Sequence, residues 1–308
     1  MVWRSVIISQ PAKLRREHFS LVIEQEQAAR VPFEDIAVIV LNNREITLTH
    51  PVLSACGEYG IGLYSTGDNH QPNGVFLPFL AHTRATRMLR LQLDVDRPRA
   101  KRAWADIVRT KIENQAASLR LSKRCDDERE WKRLELVAKR VRSGDPDNLE
   151  AQASAFYFAA LFGKPFRRGP DGWINAALNY GYAVMRGAIA RGLVAHGLFP
   201  SVGVHHSSEQ NAFNLADDLI EPFRALVDLH VAKNTPAGFQ ERPDLTPSEK
   251  IDLVALLNTD VRMPRGEMTV LAAVEQATES LVRMFDAESE SELELPRVIG
   301  LRQHRAEN

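Results

Sequence analysis

With 308 residues, 44% of them apolar and 26% charged, the chain has apolar material for a real core and length enough for two domains. A formal net charge of −1 excludes a strongly basic coat protein for nucleic acid. The two cysteines, Cys56 and Cys125, form neither a CxxC nor a zinc spacing, and there is no apolar run of about 18 residues or of signal-peptide type, so a reduced, cytoplasmic setting with no membrane span is expected.

The first 80 residues read as strands. "WRSVIIS", "HFSLVIEQ" and "DIAVIVL" are short β-branched runs, and the apolar continuity of the third points to burial. Asn42-Asn43 marks a turn before "EITLT". His50-Pro51 opens a short helix to about Glu58, and "IGLYST" gives a further strand. "DNHQPNG" reads as a turn, with Asn73-Gly74 taking positive φ.

The hydrophobic period then changes. Trp104, Ile107, Val108, Ile112 and Leu119 fall near one helical face of "RAKRAWADIVRTKIENQAASLRL". Trp131, Leu134, Val137 and Val141 repeat the theme in "DDEREWKRLELVAKRVR". "NLEAQASAFYFAALFG" closes on Gly163 as a C-terminal cap, "INAALNYGYAVMRGAIARGLVAHG" runs to near Gly197, and another helix spans about 214 to 231. The expected fold class is α+β. Residues 1–80 form a small β-rich, sandwich-like domain and 81–97 a linker and the start of the helices. Residues 98–308 form an all-α domain with a frayed acidic tail from about Asp286.

Residues 81 to 142 hold 18 Lys and Arg against 9 Asp and Glu. Such an excess is either a pair of solvated helix faces or a surface that tracks phosphates.

The stretch "GVHHSSEQNAFNLADDLIEPFR", residues 203 to 224, puts two histidines in a polar loop ahead of an acid-rich helix. Asn214 reads as an N-cap with Asp217 reaching back, and Asp217 and Asp218 complement the helix dipole without any chemistry. Glu221 lies a turn further in, shares a face with Asp218, and is spaced to pair with Arg224. An imidazole beside helical carboxylates makes a mixed nitrogen–oxygen metal site, and spacing does not separate His205 from His206. A third ligand must come from elsewhere. Glu150 is a candidate, in the first turn of "DPDNLEAQASAFYF" beside an apolar run, where it also serves as a dipole-complementing acid.

Five blocks in order carry a resemblance: "DIAVIVLNNREITLTHPVLSACGEYGIGLYS", "KIENQA", "SGDPDNLEAQASAFYFAALFG", "NAALNYGYAVMRGAIARGL" and the histidine stretch. Together the chain resembles the CRISPR-associated spacer-acquisition integrases. "LNYGYA" and the doubled histidine look most like the type II variant.

The resemblance implies catalytic metal ligands Glu150 in "NLEAQ", His206 in Gly203-Val204-His205-His206 (fitting Gly-x-x-His) and Glu221 in "DLIEPFR". Asp218 corresponds to a second acid that the family often carries, and His205 is an extra histidine. The cofactor implied is Mn²⁺ or Mg²⁺. The activity implied is insertion of short double-stranded DNA into a CRISPR array by 3′-hydroxyl transesterification. The partners implied are a second copy bound through the β domain, a small ferredoxin-like second CRISPR-associated protein in a heterohexamer, and the large RNA-guided nuclease. Two other readings compete. One is a catalytically weak DNA-binding scaffold of the same fold. The other is a helical interaction module whose acids only cap helices.

Overall fold

The computed structural model describes residues 3–67, 72–80, 82–124, 127–164, 166–169, 172–235, 244–286, 288–289 and 291–304. Eight strands open the chain: β1 (Arg4–Ile8), β2 (Ala12–Glu17), β3 (Ser20–Glu24), β4 (Ala29–Pro32), β5 (Ile36–Leu41), β6 (Ile46–Leu48), β7 (Gly62–Thr66) and β8 (Pro72–Phe76). They form two four-stranded sheets, ordered β1-β5-β7-β8 and β4-β3-β2-β6. Helix α1 (His50–Glu58) lies between β6 and β7 in the chain.

Alternation along β5 explains why its apolar run is continuous. Ile39 joins Ile8, Leu14, Leu21 and Val52 in the core shared by the two sheets. Val38 and Val40 point the other way, into the core of the helices. A strand covered on both faces has no position for a polar residue.

Tyr64 fastens this junction by donating to the Gly187 carbonyl at 2.5 Å. A Cβ at position 187 would meet the Tyr64 ring at 2.7 Å, so the close approach requires glycine there.

Three features of the strand region differ from the sequence expectation. Strands β2 and β4 escape a hydrophobicity reading: "AKLRRE" carries four charges in six residues and commits only Ala12 and Leu14 to the core, and the four-residue "ARVP" is nowhere fully buried. The Asn42-Asn43 turn does not close a hairpin, since β6 crosses to pair in parallel with β2. Asn73-Gly74 is strand rather than turn: Gly74 packs where a Cβ would sit 2.4 Å from Ser65 Oγ, and that hydroxyl donates to Asn73 Oδ1 at 3.2 Å. Residues 68–71 of the expected turn lie outside the described residues.

The helices are α2 (Ala85–Asp94), α3 (Arg97–Ser122), α4 (Glu128–Ala138), α5 (Leu149–Phe162), α6 (Trp173–Ala195), α7 (Asn214–Asn234), α8 (Pro247–Ala255) and α9 (Val270–Phe285). Asp96 caps α3 by accepting from Arg99 N at 2.7 Å. The five predicted apolar residues of α3 are all buried, and α5 ends on Gly163 with φ 93° as expected. In the basic run, Arg84, Arg87, Arg90, Arg97, Lys101 and Arg102 are exposed.

The C-terminal part is not wholly helical. A hairpin of β9 (Asp260–Met263) and β10 (Gly266–Thr269) precedes α9. Nor is the tail frayed. Leu295 and Val298 are buried, and Arg297 exchanges two backbone hydrogen bonds with Arg262, at 2.8 and 3.0 Å. The acids of "SELELP" alternate with leucines, a period-two pattern that lays one face on the protein.

Cys56 is a buried free thiol, pushed up to about 11 by burial, and Cys125 lies outside the described residues. No helix among the described residues is long and apolar enough to cross a membrane.

Asp228 on α7 accepts from the Tyr182 hydroxyl, and burial raises its carboxyl to about 6. The unfolded carboxyl titrates near 3.9, so between about 4 and 6 the folded chain binds the extra proton. Stability from this group is therefore full below about 4 and lost as pH rises through 6. Between pH 4 and pH 8, Asp228→Asn should gain about 3 kcal/mol on the parent in urea unfolding. A constant gap between the two chains would contradict this.

Candidate active site

The start of α7 and the loop before it are organised around one carboxylate. Asp218 is 0% exposed. It accepts from the backbone N–H groups of Val204, His205 and His206 at 2.7, 3.1 and 3.1 Å, and from His206 Nδ1 at 2.6 Å. Gly203 makes the wrap possible, because a Cβ there would sit 2.3 Å from the His206 carbonyl and 2.8 Å from Asp218 Oδ2. The Gly-x-x-His spacing thus has a local cause.

The two histidines part company here. His206 gives its Nδ1 proton to Asp218, which fixes the tautomer and leaves the lone pair on Nε2. That hydrogen bond holds its pKa above the ordinary value, outweighing partial burial. His205 lies flat on the Trp104 ring, with centroids 4.0 Å apart and planes 1° from parallel, and burial lowers its pKa.

Asn214 is not the N-cap. Phe213 occupies that position, while the Asn214 side chain ties the loop through Ser201 and Ser208. Asp217 accepts from Asn211 Nδ2 at 2.7 Å instead of reaching back.

Replacing Asp218 with Asn removes an acceptor oxygen from a site that serves four donors. Asp218→Asn should cost about 2 kcal/mol of stability and speed amide hydrogen exchange at residues 204–206. Unchanged exchange would show that Asp218 does not hold the loop.

Glu150 is free for other work because its helix start is already capped. Asp145 accepts from the N–H groups of Leu149 and Glu150 at 2.9 and 3.0 Å, and Asn148 accepts from Ala151. The Glu150 carboxylate turns instead to Lys111 of α3. Lys111 is 6% exposed, and its Nζ also lies 2.5 Å from Glu221 Oε2. Arg224 Nε donates to the other Glu221 oxygen at 2.9 Å, the i,i+3 pairing expected from spacing. Burial pushes the Glu221 carboxyl up, but Arg224 and Lys111 outweigh it and draw it down to about 2. Burial likewise disfavours the Lys111 charge, and Glu221 with Glu150 reverses that.

The structure thus joins Glu150 and Glu221 through an ammonium, and the His206 imidazole feels the Glu221 charge. Among the described residues, no three His, Cys, Asp or Glu side chains form a ready-made metal cluster. The donors nevertheless suit a divalent cation. Two carboxylates already surround a cation, the Glu221 carboxylate is buried, and His206 has only Nε2 to offer.

Sequence reasoning overlooked Lys111 and its neighbours. Lys111, Asn114, Gln115 and Ser118 follow helical spacing on α3, and all four are buried. Asn114 binds the Pro222 and Pro296 carbonyls, Gln115 donates to Ser154, and Ser118 accepts from Tyr157. A polar stripe on a buried helix face is the signal that marks such a network.

The family model described as CRISPR associated protein Cas1 matches residues 5–254. The CRISPR-associated endonuclease Cas1 of Neisseria meningitidis serogroup C (strain 8013) is 40% identical over 308 residues, covering 100% of both chains. Two solved structures share the fold. A casposase bound to integration product aligns with TM-score 0.70 at 19% identity, covering 94% of this chain and 92% of that one. A Cas6-RT-Cas1–Cas2 complex aligns with TM-score 0.72 at 17% identity, covering 95% of this chain and 36% of that one.

Proposed function

The chain belongs to the Cas1 family of CRISPR-associated proteins, and on that premise we propose that it is a metal-dependent integrase whose ligands are Glu150, His206 and Glu221. The observation that carries this reading is the buried carboxylate pair gathered around a cation, beside an imidazole locked by Asp218.

The reaction is a transesterification. The 3′-hydroxyl of a short duplex attacks a phosphodiester of the repeat array, the new phosphorus–oxygen bond replaces the old one, and the target strand leaves as its own 3′-hydroxyl. Mn²⁺ or Mg²⁺ supplies a lowered hydroxyl pKa and a Lewis acid at the phosphoryl oxygen. Glu221 stays ionised at any working pH because its carboxyl is held near 2. Asp218 keeps the His206 proton on Nδ1 and Nε2 open. Arg224 and Lys111 add positive charge where negative charge accumulates. No side-chain nucleophile is required.

The exposed arginines and lysine of α2 and α3 supply phosphate contacts that are salt-sensitive and tolerant of sequence. The N-terminal strands serve as the dimerisation domain. The small second CRISPR-associated protein is the partner in a heterohexamer, in keeping with the fold neighbour that is a Cas6-RT-Cas1–Cas2 complex. The type II likeness of "LNYGYA" adds association with the large RNA-guided nuclease.

The test gives purified protein and its small partner a labelled duplex with free 3′-hydroxyls and a supercoiled plasmid carrying the repeat. Joining is expected with Mn²⁺ or Mg²⁺ and is expected to vanish in EDTA. DNA retained without joining in either metal would establish the scaffold reading instead.

A further inference from the structure

Lys111 is an unusual residue to find between two carboxylates read as metal ligands. Its side chain is 8% exposed and contacts Glu150 and Glu221 together. Desolvating an ammonium at that depth is costly, and replacing the whole ion cluster with apolar residues of similar volume is often as stable or more so. Fold stability alone therefore does not account for the charged cluster, in which the lysine compensates two carboxylates.

Charge counting suggests what it does. Lys111 and Arg224 balance Glu150 and Glu221, so the cluster is neutral as it stands. A dication added to the same carboxylates with the ammonium in place leaves a local charge of +2 in a poorly solvated site. Either the ammonium must leave the carboxylates or negative charge must arrive from outside. Phosphodiesters bring that charge, and an ammonium displaced from the carboxylates has a phosphate oxygen to face.

We propose that Lys111 competes with the divalent cation for the Glu150–Glu221 pair, so that DNA binding and metal loading favour each other. This rests on the metal reading of the site. It assigns Lys111 as a positioning residue that keeps the carboxylates neutralised and only weakly metal-binding until substrate phosphate is present. The coupling is reciprocal, so metal strengthens retention of DNA by the same factor.

Free Mn²⁺ measured by electron paramagnetic resonance during titration tests this without reading activity. The parent, Lys111→Met and Glu221→Gln are titrated with and without a short duplex whose 3′ ends are dideoxy, against duplex alone. Without DNA, Lys111→Met should bind Mn²⁺ at least about tenfold more tightly than the parent. A merely structural lysine predicts weaker binding in the variant, because the site would be disturbed.

The unaltered chain gives a second reading that does not depend on the variant folding. Its Mn²⁺ affinity should rise at least about tenfold when the duplex is present. Equal affinity with and without duplex, or equal or weaker binding by a folded Lys111→Met, overturns the competition while leaving the metal site intact. Saturable binding in the parent that persists unchanged in Glu221→Gln, or no saturable binding in any sample, overturns the metal reading and this inference with it.

Discussion

His206→Ala should lower strand joining by at least about a hundredfold while leaving thermal stability close to the parent's. The imidazole is 41% exposed and contributes a nitrogen and a hydrogen bond, not a core side chain. Glu221→Gln should cause a similar loss of joining for a different reason. The amide keeps an oxygen for Arg224 but removes the charge that a dication needs. It also leaves Lys111 and Arg224 facing the single charge of Glu150, so this variant loses stability too. The histidine variant is therefore the cleaner separation of chemistry from folding. Joining within a few-fold of the parent in both variants, with circular dichroism unchanged, would contradict the ligand assignment.

The largest expected effect on stability belongs to Asn114→Leu. Asn114 is 1% exposed and spans three elements. Its Nδ2 donates to the Pro222 carbonyl at 2.7 Å and the Pro296 carbonyl at 2.8 Å, and its Oδ1 accepts from Val298 N at 3.1 Å. Leucine fills a similar volume and satisfies none of the three. Each buried backbone group left unpaired costs about 1–3 kcal/mol, so a loss of about 3–5 kcal/mol in urea unfolding is expected. That is a large part of the ~5–15 kcal/mol that holds a typical domain. The tail at 291–304 should also become sensitive to limited proteolysis. A change under about 1 kcal/mol would mean the tail is held by Leu295 and Val298 burial alone. Pro222 directly follows Glu221 in α7, so the same variant should also disturb the carboxylate.

What could be read from the sequence was what is local. The apolar face of α3, the extent of α7, the Gly163 cap and the Glu221–Arg224 pair each sit within a few turns of one helix, where periodicity and i,i+3 spacing govern. β2 and β8 were hidden because their core contacts are few and their composition is charged or rich in turn formers. The tail was misread because its acids dominate a count of charge while its leucines do the packing.

The site divided along the same line. Asp218 and Glu221 share a helical face, but the partners of Asp218 are backbone N–H groups that no composition reveals. Lys111 meets Glu150 across 39 positions and Glu221 from another helix again. Only the ordered blocks of the family resemblance linked Glu150 with His206 and Glu221, and although the block "KIENQA" begins at Lys111, it gave the lysine no role between the two acids.

The most direct test of the ligand set is anomalous diffraction at the manganese edge from crystals of the parent grown with Mn²⁺ and a dideoxy-ended duplex. One peak is expected within about 2.3 Å of a carboxylate oxygen of Glu150, a carboxylate oxygen of Glu221 and Nε2 of His206, with Asp218 still on Nδ1. A peak held by His205 or Asp218, or none at this position with DNA bound, would contradict it.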